Sequence, residues 1–294
     1  MKNVRSILCL IGVLAGAATT NGYAQSSTRP QRIISVSPAI TEILYGIGAF
    51  DRVVAVSDYC VYPPAVKTLP RVGGWMDANL ERIVSLRADL VLVSEPQAPF
   101  VVDNLRKLKL PYAVIPSKFL ADVFTAIDQI GRATGFQAQA TRLAQDTRTA
   151  LDSTRARTKS LAKRRVLAVV DRTPGTLREL TVATPGSFLG ELVEIAGGQL
   201  VTAPTEAGYI TINKEAIVAL DPEIILDIVH TPGGRLGEDQ AAVWATMPAL
   251  RAVRERKVRP IRDDFILHTS QFVGQTVNLL GANIHPEVFS IDKK

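Results

Sequence analysis

An alternation that runs twice along the chain constrains its fold more than any single motif. Short apolar runs at Ile33 to Ser37, Val53 to Ser57, Leu90 to Ser94 and Tyr112 to Ile115 read as buried strands. Between them lie stretches with helical periodicity, among them Pro38 to Gly46, Asn79 to Leu86 and Phe100 to Leu108. After residue 165 the pattern resumes with Val166 to Val170, Ile224 to Ile228 and Val258 to Ile261. Runs this short and apolar are buried on both faces, and strands that alternate with helices imply parallel sheets covered on each side. Ser37 before Pro38 predicts a helix start, with a hydroxyl to cap free N–H groups and a proline suited to the first turn. Gly46 and Gly48 predict its end.

The stretch between the two halves differs. Ala121 to Thr134 reads as one helix broken by Gly135, and from Gln137 to Leu161 there is neither glycine nor proline. Leu143, Thr147, Ala150, Leu151, Thr154, Thr158 and Leu161 form a thin apolar stripe, with Arg142, Asp146, Arg148, Asp152, Arg155, Arg157 and Lys159 on the remaining surface. A helix of that length spans about 37 Å. Its narrow stripe suits a helix laid across two lobes; an ordinary surface helix of one domain is the alternative.

A repeat favours two lobes. Glu81-Arg-Ile-Val-Ser-Leu-Arg-Ala-Asp-Leu-Val-Leu92 aligns without a gap on Glu215-Ala-Ile-Val-Ala-Leu-Asp-Pro-Glu-Ile-Ile-Leu226, with five of twelve positions identical. Each copy reads as a helix, a tight turn and a strand, with Asn79 or Asn213 ahead of it as a cap. The expected fold is α/β: two similar lobes with central parallel sheets, joined by a single long helix, with a ligand cleft between them. The expected division is a leader at 1–24, a first lobe at 25–118, connecting helices at 119–163 and a second lobe at 164–294.

Composition and charge narrow the function. The chain has 294 residues, 47% of them apolar and 21% charged, too apolar for disorder. Its formal charge of +6 is spread without a long basic run, which argues against nucleic acid as a partner. Lys2 and Arg5 precede an apolar run from Ile7 to Ala18, and Gly22-Tyr23-Ala24 follows. That is the layout of a signal peptide cleaved after Ala24, and the run is shorter than the ~20 residues a membrane span needs. An exported, periplasmic chain is expected. Cys9 lacks the small residue that a lipoprotein site places before its cysteine, and Cys60 would be the one cysteine of the mature chain.

Catalytic signatures are absent from the sequence. There is no GxxxxGK[ST] loop, no GxSxG turn and no HExxH cluster. His230, His268 and His285 are far apart, and a lone histidine is more often a hydrogen-bonded or surface residue than a metal ligand. No catalytic residue, resident metal or cofactor is expected. An exported α/β enzyme with scattered residues such as Asp58, Asp264 and His268 is the rival of another class.

Several segments in order carry a family likeness. They are Arg32-Ile-Ile-Ser-Val-Ser-Pro-Ala-Ile-Thr-Glu42, Ser57-Asp-Tyr-Cys-Val-Tyr-Pro-Pro64, Arg71-Val-Gly-Gly74 and Asn79-Leu-Glu-Arg-Ile-Val84. Arg172-Thr-Pro-Gly175, Gly186-Ser-Phe-Leu-Gly-Glu-Leu192, Ala196-Gly-Gly198 and Glu215 follow. Over nearly the whole mature chain this resembles the substrate-binding proteins of cobalamin, ferric-siderophore and haem ABC importers, most of all their vitamin B12-binding branch. The resemblance implies an exported monomer that delivers a metal chelate to a permease dimer of the inner membrane, served by a separate ATPase. It implies that Glu81 and Glu215 dock on permease arginines, a charge-assisted contact that fixes orientation. Without the likeness, both are simply acids well placed near helix N-termini.

The ligand is expected between the lobes, at the C-terminal ends of strands. First-lobe candidates are Ser37, Pro38, Asp58, Tyr59, Gly74, Trp75 and Met76; the second lobe offers Arg172, Tyr209, Asp264, Phe265 and His268. Trp75 and Tyr209 each follow a glycine in a predicted loop and offer aromatic faces to a large ring system, with local packing as the alternative. Haem binders of the family place a tyrosine where this chain has Gly74, which disfavours haem, although Tyr59, Tyr209 or His268 could substitute. Arg172, Arg262 and Lys118 are the candidate partners of an anionic siderophore, Arg172 from a turn expected to aim at the cleft. Aromatic and hydrogen-bonding side chains together favour cobalamin or a related corrinoid.

Overall fold

The computed structural model describes residues 29–228, 230–231, 234–235 and 239–289. The expected signal peptide, with Cys9 and the cleavage after Ala24, lies outside them. In chain order the first part contains β1 (Ile33–Ser35), α1 (Pro38–Gly46), β2 (Val53–Val56), α2 (Leu80–Ser85), β3 (Leu90–Ser94), α3 (Ala98–Lys107), β4 (Tyr112–Ile115) and α4 (Leu120–Thr134). The long α5 (Gln137–Thr158) follows. Next come β5 (Arg164–Asp171), β6 (Leu180–Ala183), α6 (Phe188–Ile195), β7 (Gly198–Leu200), β8 (Tyr209–Ile212), α7 (Lys214–Leu220) and β9 (Ile224–Asp227). The chain continues through β10 (His230–Thr231), β11 (Gly234–Arg235), α8 (Gln240–Trp244), α9 (Arg251–Arg254), β12 (Val258–Pro260) and α10 (Val273–Ile284).

The first lobe is a parallel sheet in the order β2-β1-β3-β4. The second runs β12-β9-β5-β6-β8, with β7 also on β5. Its β12, β9, β5 and β7 are parallel, whereas β6 and β8 add an antiparallel edge. Sequence periodicity finds the parallel strands other than β7, whose Gly198-Gln-Leu200 has only one large apolar residue. It misses the antiparallel edge because Tyr209-Ile-Thr-Ile is partly exposed and interrupted by a polar residue. Tyr209 therefore opens a strand rather than sitting in a loop.

The repeat extends further than the aligned residues. Asn79 Oδ1 accepts from Arg82 N and Asn213 Oδ1 from Ala216 N, both at 2.9 Å, so each asparagine caps its helix. Ile83 and Ile217 are both fully buried beneath these helices. Arg87 and Asp221 then take the left-handed backbone that reverses the chain. At the start of the first strand of each lobe, Arg32 just before β1 donates from its guanidinium to Leu86 O, and Arg165 at the beginning of β5 donates to Leu220 O. Asp89 accepts from Arg32 N, and Glu223 from Arg165 N. One set of capping and charge-assisted bonds thus holds the same helix–turn–strand unit in both lobes.

Ser37 departs from its expected role. It holds the extended backbone of a cap position, but its hydroxyl makes no capping bond; the Thr41 hydroxyl donates instead to Ser37 O at 3.0 Å. Helix α5, 22 residues and about 33 Å long, lies across both lobes, packed on α4 on one side and on α10 and α6 on the other. Thr147, Leu151, Thr154 and Thr158 of its stripe are buried, together with Ala140 and Ala144. Close approach requires small residues: a Cβ at Gly131 would lie 2.4 Å from Ala140 Cβ, and one at Gly274 would lie 2.7 Å from Ala150 Cβ.

A single apolar core runs between the sheets, from Ile43 and Leu44 of α1 and Ile127 of α4 through Leu151 of α5 to Leu189 of α6 and Val277 of α10. Each lobe has a further core on its outer side, around Val91 and Leu105 in the first and Leu167 and Trp244 in the second. Because the central core belongs to both lobes, the chain is expected to unfold in one step in denaturant. Far-UV dichroism and the emission of Trp244, which sits in the second lobe, should give coincident transitions. Two separated transitions would contradict a shared core.

Candidate functional site

A cleft of about 510 Å³ opens at the C-terminal ends of the first lobe's strands. Val36, Ser37, Pro38 and Ala39 follow β1, Tyr59 follows β2, Ser94 ends β3 with Pro96 just after it, and Ser117 follows β4. Trp75 joins them from the loop before α2. Leu267, His268 and Thr269 close the other side from the loop between β12 and α10 of the second lobe. The volume is within the usual range for small-molecule sites. No lysine, arginine, aspartate or glutamate is among these lining residues.

The two aromatic walls are held by their loops. Arg71 donates to Ser57 O and Cys60 O, both at 2.8 Å, and so anchors the segment that carries Tyr59. Asp58 N donates to Gly73 O, stapling that segment to the turn before Trp75. In this turn Gly73 has φ +96°, and Gly74 N donates to Asp77 Oδ1 at 3.0 Å. A Cβ at Gly74 would meet that oxygen at 2.6 Å and the Tyr59 ring at 3.4 Å, so the turn leaves no room for a side chain there. Tyr59 and Trp75 are left 46% and 41% exposed, their rings open rather than packed away. The cleft floor is fixed as well: Ser94 Oγ donates to Gln97 Oε1, and Gln97 Nε2 donates to Val36 O.

The second-lobe wall is tied to the first lobe through Glu42, a carboxylate only 2% exposed on α1. Its Oε1 lies 2.7 Å from His268 Nδ1, its Oε2 accepts from Ser270 Oγ, and its backbone carbonyl accepts from Gln271 Nε2 at 2.8 Å. An aromatic chain crosses the same boundary. Tyr45 packs on Tyr62, Tyr62 on Phe272 and Phe272 on Phe265, with centroids 5.1–5.3 Å apart. Sequence reasoning missed Glu42, Leu267 and Thr269 here, and Val36, Ala39, Ser94, Pro96 and Ser117 on the first-lobe side. The signal for Glu42 was present, since it is the one charged residue in an otherwise apolar helical segment, Pro38 to Gly46.

The expected site residues separate accordingly. Tyr59, Trp75 and His268 meet in the cleft, with Ser37 and Pro38. Arg172 requires correction: its guanidinium is fully buried and donates to Asp227 Oδ2 at 3.1 Å, beside Trp244 Nε1 at 2.8 Å from the same oxygen. The geometry turns it into the lobe because a buried carboxylate at the end of β9 demands a partner. Tyr209 is half-buried against Ser187 and Leu189, and burial pushes its pKa up. Phe265 belongs to the aromatic chain, Asp264 is exposed, and neither they nor Met76, Lys118 and Arg262 line the cleft. Of the residues named for a catalytic alternative, His268 alone does so. Burial raises the Cys60 thiol, which sits against Ser57 and Thr41.

Glu81 and Glu215 are exposed in the first turns of α2 and α7. Each helix runs back along its parallel sheet, so both acids stand at the end of their lobe where strands finish and the cleft opens. A second hollow, about 750 Å³, surrounds Glu215 on the outer surface and includes Arg178, Glu179, Asn213 and Lys214. Among the described residues no three His, Cys, Asp or Glu side chains cluster as a metal site, and no helix is long and apolar enough to cross a membrane.

Two α/β lobes bound into one body, with a cleft at the strand ends between them, define a two-lobed solute-binding protein. The chain belongs to the periplasmic binding protein family, whose profile matches residues 33–265. An uncharacterized ABC transporter substrate-binding lipoprotein of Bacillus subtilis, YvrC, is 26% identical over 266 residues, 88% of this chain and 82% of its own length. A vitamin B12-binding protein of Yersinia pestis is 29% identical over 200 residues, 67% of this chain and 69% of its own. Among solved structures, a periplasmic heme binding protein from Pseudomonas aeruginosa superposes with a TM-score of 0.76 at 24% identity, covering 88% of this chain and 94% of that one.

Because Arg172 is part of a buried pair, Arg172→Ala is expected to act on stability. Removing one partner of such a pair costs about 3–5 kcal/mol, read as a lower denaturant midpoint. A variant as stable as the wild type would contradict the buried pairing.

Proposed function

We propose that this protein is the solute-capturing component of an ABC importer, that it works in the periplasm as a monomer, and that its cargo is cobalamin or a related corrinoid. The observation that carries the choice of cargo is the cleft lining. Two open aromatic rings, Tyr59 and Trp75, stand with the hydroxyl residues Ser37, Ser94, Ser117 and Thr269, and no cationic side chain is among them. Aromatic faces suit an extended, partly apolar ring, and hydroxyls suit its amide arms. An anionic ferric siderophore would call for cations, and Arg172 is committed to Asp227. Relatives named for vitamin B12 and for heme support a metal chelate in general.

Haem is a second reading with an observation of its own, because a phenol and an imidazole, both able to bind iron, stand in the same cleft at Tyr59 and His268. In either case the cleft supplies affinity, and Glu81 and Glu215 dock the loaded protein on a permease dimer. ATP is hydrolysed by a separate subunit. The family membership and the signal-peptide layout expected for residues 1–24 support export.

Trp75 lines the cleft while Trp244, the other tryptophan, is fully buried, so fluorescence separates them. Cyanocobalamin is expected to quench part of the emission saturably and one-to-one, and Trp75→Ala should abolish that fraction with the fold intact. Saturation by a ferric siderophore alone would overturn the corrinoid assignment, and saturation by haemin alone would favour the second reading. For delivery, Glu81→Lys with Glu215→Lys should abolish uptake in cells while leaving affinity unchanged. Undiminished uptake would overturn the docking role.

A further inference from the structure

We propose that Glu42 is a positioning residue for ligand capture: it holds the His268 ring with Nδ1–H turned inward, so that Nε2 faces the cleft as a lone-pair acceptor. The proposal rests on the reading of the cleft as the ligand site. Glu42 comes from the first lobe and His268 from the second, and the Oε1 to Nδ1 distance is 2.7 Å. With Glu42 ionised, its carboxylate only accepts hydrogen bonds, and the shared proton then belongs to Nδ1. The other carboxylate oxygen is occupied by the Ser270 hydroxyl, which keeps the group oriented. The His268 side chain is 21% exposed, the residue is among those lining the cleft, and Nε2 has no hydrogen-bond partner among the described residues.

A neutral imidazole with its proton on Nδ1 carries its lone pair on Nε2. A carboxylate behind the ring fixes that tautomer, as it does for metal-bound histidines. Such a group selects its ligand by chemistry. It favours an N–H or O–H donor, such as the amide of a side arm, or an open coordination position on a chelated metal. It offers no proton to a carboxylate or catecholate oxygen. The selectivity of the cleft is therefore set partly by a residue that never touches the ligand.

His285 also has a carboxylate at Nδ1, Glu287 Oε1 at 3.0 Å, and differs at Nε2, which lies 3.1 Å from the Gly197 carbonyl and carries a proton there. The test is a long-range proton–nitrogen correlation spectrum of the ligand-free protein at about pH 8, above the ordinary imidazole range. His268 is expected to show a protonated Nδ1 and a bare Nε2. Glu42→Gln, which keeps the shape but not the charge, should let the Nε2–H form appear. A wild-type His268 with Nε2 protonated would overturn the proposal.

Access is tested by diethylpyrocarbonate, which acylates a bare imidazole nitrogen, with the modified peptide located by mass spectrometry. His268 is expected to react in the free protein and to be protected by whichever of cyanocobalamin, aquocobalamin, ferrichrome or haemin quenches Trp75. His268→Ala should weaken that probe about fivefold or more, the loss of one good hydrogen bond. An unreactive His268, or unchanged affinity in His268→Ala, would overturn the proposal. If none of the four probes quenches Trp75, the cargo assignment fails, while the spectrum and the acylation still decide the placement of Nε2.

Discussion

The two lobes are held in register by one buried carboxylate. Glu42 lies on a helix of the first lobe and gathers bonds from His268, Ser270 and Gln271 of the second. A charge excluded from water is tolerated where its lone pairs are satisfied, and stripping its partners costs about 3–5 kcal/mol. Parting the lobes at this point would break these bonds and return the carboxylate to water, so the constraint it imposes is geometric, set by directional bonds to the second lobe. It also joins two functions, because the residue that closes the far wall of the cleft, His268, is the one it holds.

The shared apolar core makes the same constraint non-local. Helices α4, α5, α6 and α10 belong to neither sheet alone, and the close contacts at Gly131 and Gly274 bring them together at distances that larger residues would forbid. A binding protein built this way meets its ligand with walls already placed. The ordering that a mobile cleft would demand on binding has been met in folding, which leaves more of the interaction energy for affinity. The loops that carry Tyr59 and Trp75 follow the same rule on a smaller scale, tied by Arg71, by Asp77 and to each other.

The fold was legible in the sequence because its evidence is local. Strands buried on both faces are continuous apolar runs, caps are asparagines at fixed offsets, and the repeat can be read from aligned residues. The antiparallel edge formed by β6 and β8 was not legible, since a strand partly exposed on one side shows a weaker pattern than the parallel strands. The site was legible in part. Trp75 and Tyr209 stood out as aromatics after glycines in expected loops; Trp75 lines the cleft with Tyr59 from the wider set of candidates, whereas Tyr209 opens a strand and does not. Arg172 was misread because a strand-end arginine has two destinations, the cleft or a buried acid. Asp227, its partner, is 55 residues away in sequence. Glu42 went unweighed because its donors lie 226–229 residues further along the chain. Contacts at that separation are set by how the lobes meet, which no local pattern encodes.

The central claim is that the lobes form one body around a fixed cleft. It is tested most directly by electron–electron dipolar spectroscopy on the ligand-free protein, with spin labels at Val84 and Val218. These residues are exposed at equivalent positions of α2 and α7, one in each lobe. The account predicts a single narrow distance distribution. A broad or two-peaked distribution would contradict it, since it would mean that neither the shared core nor Glu42 fixes the lobes.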